Sequence, residues 1–150
     1  LRKQGVPCKA LDIKNKGGIN LCHPAVLKVL LWALRSKRVM CIVLETPCSS
    51  FSLARRGKPG KLGGPLRLIG KYIKGLPVRV RRPVDRRKIL RGNLCARATT
   101  LLAKAAHAVG TPWAVENPGP SRLWHWPGLK ALASKPSVHS RLCHLCQYGR

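Results

Sequence analysis

The chain has 150 residues, about the size of one domain, and 45% of them are hydrophobic. This fraction allows a packed core and argues against wholesale disorder. No apolar stretch approaches the roughly 20 residues that cross a bilayer, which argues against a membrane-spanning protein. Lys and Arg number 30 against four acids, so the formal net charge is +26. Because such a charge repels itself, we expect an anionic partner, with nucleic acid as the first candidate and no membrane partner.

Seven cysteines are scattered along a chain that shows no secretory signal pattern. Their odd number and wide spacing differ from the dense framework of a disulfide-rich secreted domain. We therefore predict reduced thiols and an intracellular location, with the nucleus as one candidate. Cys143 and Cys146 have the C-x-x-C spacing of a zinc site, but a second ligand pair is missing, so we predict no metal site.

Apolar residues alternate between helical and strand periods along the chain. In chain order they predict a strand ending at Asp12, a helix over 23–37 and a strand over 39–45 that is buried on both faces. A helix follows over 94–109, capped by Asn93 and ended by Gly110. The last predicted elements are a second buried strand over 111–117, a short helix within 121–134 and a strand within 138–149. Residues 49–92 are rich in Gly, Pro, Arg and Lys, which predicts a long basic loop with one short helix within 65–76. The alternation indicates one α/β domain over 1–150.

The two buried strands end in the motifs LETPC and VENP, each with an acid before a proline. In open α/β sheets, ligands bind at the carboxyl ends of the strands. If these strands are neighbours, Cys48 and Glu116 face one pocket as a thiol nucleophile and a carboxyl acid. A single Pro-Cys after a strand is more often a packing feature than a catalytic one. However, Cys48 is one of only seven thiols and Glu116 is one of only four acids, which favours a catalytic pair at these two strand ends.

The ordered motifs ETPCSSFSLARRG, VENP and CQYGR resemble the Pro-Cys, Glu-Asn and Gln/Arg motifs of DNA cytosine-5 methyltransferases. With GGPLR, GN and ENPGPSRLW, they look like a divergent methyltransferase-like region found beside reverse transcriptases in mobile elements. The resemblance covers about residues 5–150 and implies a Rossmann-like methyltransferase sheet with flanking helices. The family's first motif, a Phe-Gly-rich loop that holds the cofactor, is not in the chain. We therefore expect a partial domain, truncated at its N-terminus, without the first strand and the cofactor loop.

The resemblance implies that Cys48 attacks C6 of a flipped cytosine while Glu116 acts at N3. A methyl group from S-adenosylmethionine then goes to C5. The cofactor contacts would be Asp12, Pro47 and Asn117, and we expect binding of the cofactor to be weak. The residues predicted to hold phosphates are all basic, namely Arg55, Arg56, Lys58, Lys61, Arg67 and Arg150.

Three functions stay open at this point. The first is a DNA cytosine-5 methyltransferase-like protein, inactive or weak as this fragment. The second is a non-catalytic, basic nucleic-acid-binding module of a mobile-element protein, and DNA is the expected nucleic acid for both. The third is a small zinc-stabilised binding protein. Trp113, Trp124 and Trp126 are candidates for stacking on bases, but such residues more often close a core, and we expect the core role.

Overall fold

The computed structural model describes residues 7–12, 18–55, 57–59, 61–77 and 83–143. In chain order these residues form helix α1 (Pro24–Arg35), strand β1 (Ile42–Glu45), a first 3-10 helix (Gly70–Tyr72), helix α2 (Pro83–Ala108), strand β2 (Trp113–Glu116), a second 3-10 helix (Arg122–His125) and helix α3 (Pro127–Ala133). Within this part of the chain, no helix combines the length and apolar character needed to cross a membrane. The mixed order of helices and strands agrees with the predicted α/β class.

β1 and β2 pair in parallel, and α2 lies between them in the chain. Their register sets Ile42 opposite Trp113 and Glu45 opposite Glu116. α2 contacts both strands, so β1, α2 and β2 form a β-α-β unit. Over the described residues, the sheet consists of these two strands. The predicted neighbouring strands are therefore confirmed, while a larger Rossmann-like sheet stays a prediction.

The sheet has one packed face and one exposed face. Leu44 is buried, and its neighbours on the packed face are half-buried: Ile42, Trp113 and Val115. The residues between them alternate to the exposed face: Val43, Glu45, Ala114 and Glu116. Such alternation is typical of a sheet that is covered on one side. The prediction that these strands are buried on both faces is therefore wrong for the described structure.

The hydrophobic core lies between the packed face of the sheet and the helices. α2 contributes small buried side chains, among them Ala96, Ala103 and Ala106, which let its neighbours approach closely. Trp126 packs edge-on against Phe51, with the ring centroids 6.3 Å apart. The other buried members of this cluster are Leu34, Leu44, Ile73, Leu102, Leu123, Leu129 and Leu132.

α2 begins at Pro83, well before the predicted start at residue 94. Proline suits the first position of a helix, and Asp85 suits the positive end of the helix dipole in the first turn. Asn93 therefore lies inside the helix, and the prediction that it caps the helix is wrong. Gly110, with a φ of +71°, follows the last turn and ends the helix as predicted.

The remaining elements agree with the sequence to different degrees. α1 confirms the helix predicted over 23–37, and the second 3-10 helix with α3 confirms the helical stretch within 121–134. The stretch 65–76 contributes the first 3-10 helix. Residues 7–12 and 138–143 form no strand, which corrects two predictions for these residues, and residues 144–150 lie outside the described structure.

Candidate active site

The two strand ends meet at one edge of the sheet. β1 and β2 run in register up to the pair of Glu45 and Glu116. Pro47 has no N–H and cannot extend the ladder beyond that pair. The structure thus places the half-buried Cys48 and the exposed Glu116 at the carboxyl ends of neighbouring strands. Cys41 directly precedes β1 and therefore lies at the opposite edge of the sheet.

Asn117 fastens the two strand ends to each other. Its amide nitrogen donates to the backbone carbonyl of Thr46. The hydroxyl of Thr46 lies 2.7 Å from the hydroxyl of Thr99 in α2, and both threonines are buried. The amide oxygen of Asn117 is buried and has no hydrogen-bond partner among the described residues. These contacts fix the strand ends against α2 and leave Asn117 little freedom to bind a ligand.

The segment after Cys48 turns sharply and is held on two sides. The N–H of Phe51 donates to the carbonyl of Cys48 at 2.8 Å, which closes a four-residue turn. The carbonyl of Phe51 accepts from the N–H of Arg122 at 3.0 Å. The guanidinium of Arg122 also donates to the carbonyl of Ser52 at 3.0 Å. The backbone around Cys48 is therefore fixed by hydrogen bonds from within the turn and from the second 3-10 helix.

Arg67 is a buried cation whose guanidinium is fully used inside the protein. Its side chain is 0% exposed. The guanidinium donates to the carbonyls of Ile73 at 2.8 Å and Ile89 at 2.9 Å, to Oδ1 of Asn93 at 2.6 Å and to Oγ of Ser50 at 3.1 Å. Burial lowers the pKa of Arg67 to about 10. The prediction that Arg67 contacts nucleic acid is therefore wrong, because its donors face the protein interior.

Gly92 and Asn93 explain how α2 accommodates this cation. A Cβ at Gly92 would collide with Oγ of Ser50 and lie 2.6 Å from Nη2 of Arg67. Only glycine leaves space for both groups at this point of the helix. Asn93 accepts from Arg67 through Oδ1 and donates from Nδ2 to the carbonyl of Lys74 at 3.0 Å. The motif GN thus supports the turn that carries Cys48.

The other basic residues predicted to bind phosphates differ in their availability. Nε of Arg55 donates to the carbonyl of Gly64 at 2.7 Å, and Nη2 lies 3.5 Å from the carboxylate of Asp85. Arg55 is therefore largely committed to contacts within the protein. Lys58 and Lys61 are exposed and available, whereas Arg56 and Arg150 lie outside the described residues.

A basic surface that the sequence analysis misses lies on the outer side of α2. We define the α2 basic face by its exposed cations, which are Arg86, Arg87, Lys88, Arg91, Arg97 and Lys104. Asp85 is the acid of this helix, and it is buried. The face therefore carries positive charge without an exposed acid. The sequence carries no local signal for this face, because the charged residues before Gly92 show no apolar period, and only the structure extends α2 back to Pro83.

The three residues that the resemblance implies as cofactor contacts differ in their exposure. Asp12 and Pro47 are exposed, and one carboxylate suits the ribose hydroxyls of S-adenosylmethionine. The amide nitrogen of Asn117 is taken by Thr46, and its oxygen has no exposed surface. Asn117 is therefore engaged within the protein, and the cofactor contacts implied by the resemblance stay a prediction.

Two of the three tryptophans considered for stacking on bases lie in or against the core, as the sequence predicts, whereas Trp124 is half-buried outside that cluster. Trp113 lies edge-on to His107, with ring centroids 6.2 Å apart, and Nε1 of Trp124 donates to the carbonyl of Pro118 at 3.0 Å. Trp126 belongs to the core.

Potential metal ligands do not form a group of three or more anywhere in the described ranges.

The candidate site consists of a thiol and a carboxyl at neighbouring strand ends, with a buried network behind the thiol and a basic face on α2. The chain was compared with protein-family models, with curated proteins and with solved structures, and no match was found. The geometry described above is therefore the basis for assigning a function.

Proposed function

We propose that the chain is a DNA cytosine-5 methyltransferase-like protein in which Cys48 and Glu116 act on one cytosine base. The observation that carries this proposal is the parallel, in-register pairing of β1 and β2. That pairing brings a thiol motif and a carboxyl motif to one sheet edge, which is what addition to a pyrimidine ring requires. The resemblance of the motifs supports the same roles.

Cytosine is a poor electrophile, so the addition needs a soft nucleophile and an acid that act together. The target base leaves its stack to reach both groups. The Cys48 thiolate forms a bond to C6, and the electron pair of the C5–C6 double bond moves toward N3. A hydrogen bond or a proton from the Glu116 carboxyl at N3 accommodates this charge. The addition step uses only these two side chains and needs no methyl donor.

The surroundings of Cys48 suit a nucleophile that must stay in place. The N–H of Phe51 closes the turn by donating to the carbonyl of Cys48, and the hydroxyl of Ser50 in the same turn accepts a hydrogen bond from the buried Arg67. Because the backbone is fixed, the thiol samples a narrow range of positions, which favours attack on a bound base. Arg67 is a positioning residue here, since it acts through the turn and does not touch the base.

An oligonucleotide containing 5-azacytosine tests the addition step. Nitrogen at position 5 makes C6 more electrophilic and takes up a proton after the thiol has added. The adduct therefore accumulates without a methyl donor. We expect a complex that survives denaturation, and peptide mapping should find the nucleotide linked to Cys48.

Three variants decide the assignment. Cys48→Ser should abolish the adduct, and Glu116→Gln should slow its formation by about 100-fold or more because the acid is lost. Cys41→Ser is the matched control, since Cys41 is exposed at the opposite sheet edge, and it should leave the rate unchanged. The proposal is contradicted if wild-type protein forms no adduct or if the adduct persists in Cys48→Ser.

A second function, non-catalytic binding of nucleic acid, is favoured by the α2 basic face. This face runs from Arg86 to Lys104, a length of about 27 Å at 1.5 Å per residue. Such a length matches the phosphates along roughly eight base pairs of duplex DNA. The exposed side chains of Leu90, Leu94 and Leu101 lie between the cations on the same helix.

The salt dependence of duplex binding tests this second function. If six phosphates are neutralised, log K should fall with log salt at a slope of about −5. The triple variant Arg87→Ala, Arg91→Ala, Arg97→Ala should reduce the magnitude of this slope by nearly 3. A control with equal charge loss removes exposed lysines outside α2, namely Lys28, Lys130 and Lys135. Binding that does not change with salt, or an equal loss of slope in both triple variants, contradicts this second function. Binding that is retained in Cys48→Ser shows that binding does not depend on the proposed nucleophile.

A further inference from the structure

A second thiol pair lies apart from the candidate active site. Sγ of Cys22 and Sγ of Cys95 are 3.5 Å apart, although the residues are 73 positions apart in the chain. Cys22 lies in the turn before α1, and Cys95 lies in the middle of α2. We propose that Cys22 and Cys95 form a reversible disulfide when the protein meets a small-molecule disulfide such as oxidised glutathione.

The geometry favours this pair over the other thiols. A disulfide bond is about 2.05 Å long, so a small movement of two side chains brings the sulfurs from contact to bonding distance. Both residues are half-buried, which leaves a path for a small oxidant. Cys41 and Cys48 show no sulfur contact in the described part of the chain.

The reaction proceeds by two thiol–disulfide exchanges. The Cys22 thiolate attacks one sulfur of oxidised glutathione, the S–S bond breaks, and one glutathione thiolate leaves. Cys95 then gives its proton to water, and its thiolate attacks the sulfur of Cys22. The mixed disulfide breaks, and the second glutathione thiolate leaves. Two protein thiols are oxidised, and one small disulfide is reduced to two thiols.

The position of Cys22 in a turn and of Cys95 in the middle of α2, together with the environment of Cys95, favours this order of steps. Burial, together with the hydrogen bond and the charge of Cys22, raises the pKa of Cys95 to about 12, while Arg91 acts in the opposite direction. Cys95 is therefore almost wholly protonated near neutral pH and is a poor first nucleophile. Cys22 reacts with the oxidant, and Cys95 acts as the resolving thiol.

The disulfide would tie the start of α1 to α2. α2 also holds the end of β1 through Thr99 and supports Arg67 through Asn93. A bond at Cys95 therefore restrains the helix on which the candidate active site is built. The two functions remain separable, because neither Cys22 nor Cys95 belongs to the strand ends.

The test uses the full chain, incubated with oxidised glutathione, alkylated and mapped by mass spectrometry. We expect a linked peptide that contains Cys22 and Cys95, with Cys41 alkylated. In Cys95→Ser, glutathione should stay attached to Cys22 because the resolving thiol is missing. In Cys22→Ser, Cys95 should form neither a protein disulfide nor a mixed disulfide with glutathione at a rate close to that of the wild-type reaction.

A melting experiment gives an independent readout. Oxidation should raise the melting temperature of the wild type by about 10 °C, because a loop of this length loses much entropy in the unfolded chain. Oxidised Cys95→Ser or Cys95→Ala should show no such increase. The proposal is overturned if the linked peptide pairs other cysteines, or if the wild type retains glutathione on Cys22 without closing the bond. Formation of the azacytosine adduct by the reduced protein is a separate result and does not decide this one.

Discussion

The guanidinium of Arg67 stacks on the ring of Phe51, with Cζ 4.0 Å from the ring centroid. Both side chains are 0% exposed. A cation over an aromatic ring gains electrostatic attraction, and the gain is larger where water is excluded. Since Phe51 also closes the turn at Cys48, this contact joins the basic loop to the proposed nucleophile.

Replacing Arg67 by Lys should destabilise the protein by about 3 kcal/mol. An ammonium group carries its three donors on one nitrogen, so it cannot reach the separate acceptors that the guanidinium serves. The free energy of urea unfolding measures the effect. Lys61→Ala, at an exposed site, is the control and should change stability by less than about 0.5 kcal/mol. Equal stability of R67K and wild type would show that the buried network contributes little.

Gly92→Ala should cost about 1–3 kcal/mol of stability, because the added methyl group collides with Ser50 and crowds Arg67. In an open part of a helix, replacing glycine by alanine increases stability, so a decrease in the free energy of unfolding indicates crowding at this position. Leu94→Ala, two residues along the same helix and exposed, should have little effect. Thermal unfolding of both variants measures the difference, and a stabilised G92A would disprove the close packing at this position.

The hydroxyl pair of Thr46 and Thr99 allows a double-mutant cycle. Thr99→Val should cost about 1–3 kcal/mol, because the buried hydroxyl of Thr46 is left without its partner. Adding Thr46→Val should recover most of this loss, since both polar groups are then absent. Unfolding free energies of the two single variants and the double variant give the coupling. Simple additivity of the two losses would mean that the hydroxyls do not interact.

Alkaline pH should destabilise the reduced protein through Cys95. Burial is the main cause that raises the pKa of this thiol from about 9 to about 12, with Cys22 adding to the shift and Arg91 reducing it. The folded state therefore keeps a proton that the unfolded chain releases, and stability falls as pH rises from about 9 to about 12. The measurement is the difference in unfolding free energy between reduced wild type and Cys95→Ser, taken near pH 8 and near pH 10.5. Because both proteins contain the same lysines, lysine titration does not contribute to this difference. A stability difference that stays constant over this range would contradict the expectation.

The elements that the sequence predicts well are those set by a local pattern. β1 and β2 are apolar runs that stop at proline motifs, and their parallel pairing follows from the helix between them. The start of α2 is different, because the charged residues before Gly92 show no apolar period and both Gly92 and Asn93 are poor helix formers. Contacts from distant residues hold this part of the helix, so the local pattern could not reveal it.

The burial of Arg67 could not be predicted for the same reason. Arginine is usually exposed, and nothing next to Arg67 distinguishes it from the other cations. Its partners come from the turn after Cys48, from the first 3-10 helix and from α2. The motifs PCSSF, GGPLR and GN resemble one family as separate pieces, and in the structure they form a single buried network.

The register pair Glu45 and Glu116 creates a small acidic island on a protein with a net charge of +26. The cations attract phosphates over most of the surface, whereas this pair of acids at the sheet edge does not. Under the proposed binding of nucleic acid, we expect a strand to keep its phosphates beside the cations and to turn its uncharged bases toward this pair of acids. In that proposal, the few acids of this chain orient a polyanion that the many cations attract.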